Sequence, residues 1–284
     1  GIRAAYWTAV ALGRLADRHP TFPRQIFAVS GVSGGGVGAA AFVSLLRDRE
    51  HLANCEPFAR RLGHGAEDVG PVELCAQEVL RQDFLAPVLA KMVSPELLQW
   101  FLPFPVPAFD RARALEDSFT NAYRQVLAKD GFQASTFDAP FSSAWPRCAT
   151  PACDPAPAFA LPALLLNGTH VKTGQRMLHA PVRWTAEELP EVADLATLLG
   201  ADVRLATAAH DSARFAYVSP AGRLLSAAGR DYDHVVDGGY FENSGAATLQ
   251  DVLYVMNRSP RRDRLRFVVL YLCNSAGRCW GADA

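Results

Sequence analysis

Apolar residues between positions 2 and 18 recur on one helix face (Ile2, Tyr6, Ala9, Val10, Leu12, Leu15 and Ala16), and His19-Pro20 closes the run. The spacing predicts a helix over Ile2–Arg18. Gln25 to Val29 is a short, mostly apolar run between Pro23 and a glycine cluster, the mark of a buried parallel strand. Small residues from Gly34 lead into a second helix that runs to Arg49. Helix, strand, sharp turn and helix make an α/β opening, with a preceding strand expected upstream.

The middle of the chain reads as helical. Val72–Gln82, Leu85–Trp100 and Asp110–Lys129 carry helical periodicity, the last with Asp110 as N-cap. Between the second and third, Phe101–Phe109 alternates proline with apolar side chains, which holds it extended. It reads either as a buried connector or as an exposed, lipid-facing flap. A Pro- and Cys-rich loop follows from Pro140 to Pro162, long enough to be an insertion. Ala163–Asn167 is a strand, Lys172–Gln175 a hairpin-like turn and Arg176–Val182 a second strand. Val192–Leu199 and Val203–Ala209 read as short helices, His234–Asp237 as a brief strand, Gly245–Met256 as a helix and Leu265–Cys273 as a final buried strand. No internal repeat is visible. The expectation is one α/β domain over residues 1–284 with a mainly parallel sheet flanked by helices. A helical and Pro/Cys-rich insertion occupies about 52–160 within it.

Composition narrows the function classes. With 28 basic and 29 acidic residues the formal charge is −1, which removes the general electrostatic case for nucleic-acid binding. Half of the residues are apolar and 20% charged, which excludes disorder, collagen and coiled coil. The longest apolar stretches fall far short of the ~18 residues of a membrane-spanning helix. Lysine occurs only at 91, 129 and 172, and this Arg- and Ala-rich bias reads as the coding history of a GC-rich bacterium. The chain opens at Gly1 without Met, already inside a helix, so a domain cut from something longer is expected, with any signal or anchor upstream.

Six cysteines fall as Cys55/Cys75, Cys148/Cys153 and Cys273/Cys279. Neighbouring pairs suit disulfides in an oxidising compartment; scattered thiols in a reducing one fit as well. None has C-x-x-C spacing or a His at zinc-ligand spacing, so no metal is expected.

Gly31-Val32-Ser33-Gly34-Gly35 matches G-x-S-x-G between an expected strand and an expected helix, the context this pattern requires. The turn is so tight that flanking side chains clash, and the serine hydroxyl is held at a helix N-terminus, which favours developing negative charge. A rival reading takes Gly36-Val37-Gly38-Ala39-Ala40-Ala41 as a relaxed dinucleotide fingerprint with Glu56 as its acid. That acid should end a second strand, whereas Leu52–Arg60 contains Pro57 and no strand pattern.

A serine nucleophile needs a base. The histidines are His19, His51, His64, His170, His179, His210 and His234, and a conventional triad would read Ser33, Asp211, His234. Nothing around His234 is shaped for that role. Asp237 has the better claim: it ends an apolar strand, and Gly238-Gly239 lets the backbone turn sharply toward another loop. A carboxylate in water is a poor base, but one taken out of water holds a proton more tightly. Two residues then suffice, Ser33 attacking and Asp237 taking and returning the proton.

Ser33 in its glycine turn and Asp237 in Asp237-Gly238-Gly239 resemble the Ser–Asp dyad of the patatin-like phospholipase family. Gly1-Ile2-Arg3-Ala4 resembles the tail of that family's oxyanion loop, D-G-G-G-x-[RK]-G, with Ala where Gly is common. Asn167-Gly168-Thr169 with Thr173-Gly174 resembles its T-N-x-x-T-G hairpin. Ser212-Ala213-Arg214-Phe215 and Ser219-Pro220 resemble the segment before its last motif, and Asn243 matches the Asn after the aspartate. The matches run in order from residue 1 to about 250, while residues 55–160 match nothing. Most of the oxyanion loop is absent from this chain.

The resemblance implies a three-layer patatin-like α/β fold and a serine acyl hydrolase acting on phospholipid or lysophospholipid esters. It implies no cofactor or metal, an oxyanion hole at Gly1 and Gly34, a substrate-phosphate or helix-anchoring role for Arg3, and association with a bacterial membrane. A catalytically silent lipid-binding module is the reading from another class.

Overall fold

A computed structural model describes residues 1–59, 69–104, 106–129, 131–145, 161–185, 187–225, 231–260 and 262–273. The N-terminal helix α1 spans Ile2–Arg18, as its periodicity predicts, and buries Ala5, Ala9, Val10, Leu12, Gly13 and Ala16. His19 leaves the helical region, as a residue before proline does. After the short α2 (Phe22–Gln25), strand β1 (Ala28–Val32) runs into α3 (Gly34–Arg47).

Beyond the short α4 (Glu56–Ala59), helix α5 (Pro71–Leu80) packs against α1, and the two are locked where the last turns of α1 meet the first turn of α5. Arg14 Nε donates to both Glu73 carboxylate oxygens (3.0 and 2.9 Å), and Asp17 caps α5 by accepting from the Val72 and Glu73 amides (3.1 and 2.8 Å). The expected helix 85–100 is two, α6 (Leu85–Val93) and α7 (Pro95–Gln99). Pro95 has no amide to continue the first helix and starts the second. The segment 101–109 is not uniformly extended, since Pro107–Phe109 forms a 3-10 turn. Asp110 caps α8 (Arg111–Leu127) by accepting from the Ala112 amide at 2.8 Å. Much of the Pro/Cys-rich loop, with Cys148 and Cys153, lies outside the described residues, as do His64 and Cys279.

The remaining strands are β2 (Ala163–His170), β3 (Arg176–His179), β4 (Val192–Asp194), β5 (Gly222–Leu225) and β6 (Asp231–Asp237), with helices α9 (Leu195–Leu199), α10 (Leu205–Asp211) and α11 (Ala246–Asn257). The expected helix 192–199 is therefore a strand and then a helix, with Asp194 capping the helix. The six-stranded sheet runs β4-β3-β2-β6-β5, with β1 also on β2. It is mixed and not mainly parallel: β1–β2 and β3–β4 are parallel, and β2–β3, β2–β6 and β5–β6 antiparallel. The turn at 171–175 is too short for a crossover, so β3 must return antiparallel. The expected last strand, 265–273, forms no ladder, and Val268, Val269 and Leu270 are exposed. Its apolar β-branched run has strand composition, but a strand also needs a partner edge.

Alternation along β2 separates two cores. Leu164 and Leu166 enter the large cluster built from α1, α3, α5 and α8. Leu165 enters a smaller one, against which Leu249, Val252 and Val255 of α11 pack. Helices from the expected insertion thus share the main core.

The register places the site. The partner of Val32 is Asn167 and the partner of Asp237 is Gly168, both on the edge of β2 opposite β3. β1 runs parallel to β2 and β6 antiparallel, so their C-terminal ends meet head to head.

Candidate active site

Ser33 follows β1 with φ 53° and ψ −132°, a backbone conformation that a residue with a side chain rarely adopts. Two glycines of the turn have no room for a side chain. A Cβ on Gly31 would sit 2.5 Å from the Gly36 Cα, and one on Gly34 would sit 2.0 Å from the Gly1 carbonyl oxygen. The turn therefore projects the hydroxyl at the start of α3, whose first amides have no helical acceptors.

Asp237 is buried and tethered at almost every polar atom. Its amide donates to the Arg214 carbonyl (3.1 Å), its carbonyl accepts from Thr169 Oγ1 (2.9 Å) and its Oδ1 accepts from the Gly239 amide (2.8 Å). Oδ2 is buried without a hydrogen-bond partner. One carbonyl joins the two halves: the Ser212 oxygen accepts from the Ser33 amide at 2.9 Å and from the Gly238 amide at 3.2 Å. Asn167 secures the junction from β2, donating to Ser30 Oγ and the Gly31 carbonyl (both 3.0 Å) and accepting from Thr248 Oγ1.

Ser33 and Asp237 line one cavity of about 610 Å³, together with Gly1, Gly34 and Asn243. Its far wall is apolar, from Leu80, Phe84, Leu115 and Phe119. Four of the expected site residues are thus brought together. Arg3 is not: it is solvent-exposed on α1 and does not line the cavity. Ser33 and the free Asp237 oxygen are not hydrogen-bonded to each other.

No described histidine lines this cavity. His234 has a side chain 45% exposed, and Asp211, its partner in a conventional triad, is engaged by His179 (2.9 Å) and Arg214 (2.7 Å). A hydroxyl–imidazole–carboxylate chain that the sequence does not reveal exists elsewhere. Ser219 Oγ lies 2.6 Å from His210 Nε2, and His210 Nδ1 lies 3.1 Å from Glu116 Oε1. All three residues are buried and none lines the cavity, so this chain is a core network. Burial and the Arg214 charge together lower the His210 pKa. Burial works to raise the carboxyls of Glu116 and Asp211, but hydrogen bonds and neighbouring cations outweigh it. Glu116 is held below its usual range and Asp211 is lowered to about 2.

Cys55 and Cys75 form a disulfide, with Cα atoms 5.4 Å apart, which joins the turn after α3 to α5. Among the described residues no group of His, Cys, Asp and Glu could hold a metal ion, and no helix is long and apolar enough to cross a membrane. No family model, curated protein or solved structure matches the chain.

Proposed function

We propose that this chain is a serine acyl hydrolase of lipid esters, a patatin-like protein with that family's layered fold, acting through Ser33 and Asp237. One observation carries the reading: a serine on a strained strand-to-helix turn shares an apolar cavity with an aspartate whose buried Oδ2 has no hydrogen-bond partner among the described residues. Buried acceptors are almost always paired, so an orphan one on the aspartate that shares a cavity with this serine supports Asp237 as the proton acceptor.

In the proposed reaction the acyl chain lies along Leu80, Phe84, Leu115 and Phe119, with its ester carbonyl at Ser33. Ser33 Oγ attacks the carbonyl carbon while Asp237 Oδ2 takes the hydroxyl proton. The Gly34 amide and the start of α3 hold the oxyanion, with the Gly1 side of the cavity beside it. Collapse breaks the ester C–O bond, and Asp237 returns the proton to the departing alcohol. Water then attacks the acyl-Ser33 ester with Asp237 again as base, releasing the fatty acid and restoring the hydroxyl. No step calls on a cofactor or metal. The setting we propose is a bacterial membrane surface in an oxidising compartment, a choice the Cys55–Cys75 disulfide supports.

The test is turnover of a soluble chromogenic ester, with fluorophosphonate labelling of the nucleophile. Ser33→Ala is expected to abolish both and Asp237→Asn to slow turnover by about 100-fold or more. His234→Ala is expected to stay near the parent rate. Folded protein with no turnover and no labelling would leave a lipid-binding module, and a dead His234→Ala variant would restore the triad.

A further inference from the structure

The stretch from Leu85 to Phe104 is built inside out. In α6 only Val88 is buried, while Leu85, Leu89, Met92 and Val93 face solvent on one side. The apolar face continues through Leu97 and Leu98 to Trp100 and Phe101, which are 84% and 80% exposed, and to Phe104. Three of its polar side chains are held by protein partners, while Ser94 is exposed. Lys91 donates to the Ala108 carbonyl at 2.8 Å, and Glu96 pairs with Arg111 at 2.6 Å. Gln99 donates to the Phe104 carbonyl and accepts from the Val106 amide, both at 2.7 Å. Water favours the reverse arrangement, apolar inward and polar outward. Apolar groups outside, with Lys91, Glu96 and Gln99 each bonded to protein, suit a medium that offers few hydrogen bonds.

The face also leads somewhere. Leu85 belongs both to it and to the lining of the cavity that holds Ser33. A protein partner seated there would cover the cavity mouth, whereas a lipid layer would open into it. Trp100, exposed on this face, is a residue type suited to the interface between headgroups and acyl chains. Lys91 and Glu96 are the only charged residues between 85 and 104, and both are engaged. Attraction to anionic headgroups is therefore a small term.

We propose that this cap inserts into the surface of a lipid bilayer, and that a lipid acyl chain passes from the bilayer by Leu85 into the cavity. What happens to the chain inside rests on the acyl-hydrolase reading; the insertion does not. Flotation with phosphatidylcholine vesicles tests it. The protein is expected to float with these uncharged vesicles equally at low and high salt. Phe101→Ser with Phe104→Ser, both at exposed positions, is expected to lower partitioning about tenfold or more. Hydrolysis of vesicle lipid should fall by the same factor, with turnover of the soluble ester unchanged. Ser33→Ala should float like the parent. Vesicle binding with no ester turnover would support insertion while sinking the hydrolase reading. Three outcomes overturn the proposal: a parent protein that stays in the soluble fraction, binding confined to anionic vesicles and released by salt, or a double variant that floats undiminished. A double variant that turns a dimer into a monomer in sedimentation, with vesicle binding unchanged, would assign the face to a second copy of this chain.

Discussion

At Ser33 the backbone is held at a positive φ by the fold around it, and such positions typically cost about 1–3 kcal/mol. Glycine adopts this conformation without strain. Ser33→Gly should therefore abolish labelling and turnover yet raise the melting temperature, in a thermal scan against the parent. A lower melting temperature would mean that the turn stores no strain. Ser219→Ala should do the opposite, keeping the parent turnover while losing about 1 kcal/mol in denaturant unfolding, because it removes a buried hydrogen bond to His210. Both ends of the proposed dyad were legible in the sequence, because a tight turn writes its requirement into adjacent residues, Gly31 to Gly35 and Asp237 to Gly239. The Glu116–His210–Ser219 chain was not. Its members are joined only by the fold, and an isolated His or Glu carries no sign of its partner. Arg3 shows the reverse failure: a motif position placed it near the chemistry, and the helix face on which it sits carries it into solvent.

Among the elements, the segment after α10 does most to assemble the site. It forms no ladder, yet the carbonyls of Ser212 and Arg214 hold the amides of Ser33, Gly238 and Asp237. Its side-chain anchor is Arg214, whose Nε donates to Asp211 at 2.7 Å and whose second nitrogen lies 3.2 Å from Glu116. Removing one partner of such a buried pair leaves a bare charge, at a typical cost of about 3–5 kcal/mol. Arg214→Met is expected to lose stability on that scale in urea unfolding. The same cluster gives acid sensitivity a definite sign. His210, lowered in the fold, is protonated more readily when unfolded, so its contribution is present above the unfolded value of about 6.5 and is lost as pH falls. Asp211 contributes fully above its unfolded value of 3.8 and loses its contribution as pH falls toward about 2. The melting temperature should decline from near-neutral pH downward, and His210→Gln should flatten the upper part of that decline. Sheet direction was harder to read than strand position. Short apolar runs located β2 and β6, and the hairpin-like turn at Lys172–Gln175 gave the return of β3, but the antiparallel pairing of β6 on β2 and the missing ladder at 265–273 were not legible, since both depend on which edge is free.

For the whole molecule, the Cys55–Cys75 bridge closes a span of 20 residues between the turn after α3 and α5. A loop of that size restricts the unfolded chain by about 3 kcal/mol. Cys55→Ser with Cys75→Ser, which opens this bridge and leaves Cys273 untouched, should shift urea unfolding by that amount while leaving ester turnover intact below the transition. Loss of turnover in the folded double variant would give the bridge a direct part in the site.

The head-to-head meeting of β1 and β6 on β2 also sets an order of events in time. Hairpins β2–β3 and β5–β6 close over short loops, whereas the ladder of β1 on β2 reaches across the whole helical middle of the chain. Contacts between distant segments form late, because the entropy of closing a long loop is lost before the contact repays it. Ser33 is oriented only when residues near 33, 212 and 237 have all converged, so helices and hairpins can be restored in a chain that is still chemically inert. In refolding, fluorophosphonate labelling should lag the recovery of circular dichroism. On the proposed reading, a half-folded copy already exposing apolar surface would not yet cleave lipid, and the membranes of the cell that makes it are spared during synthesis.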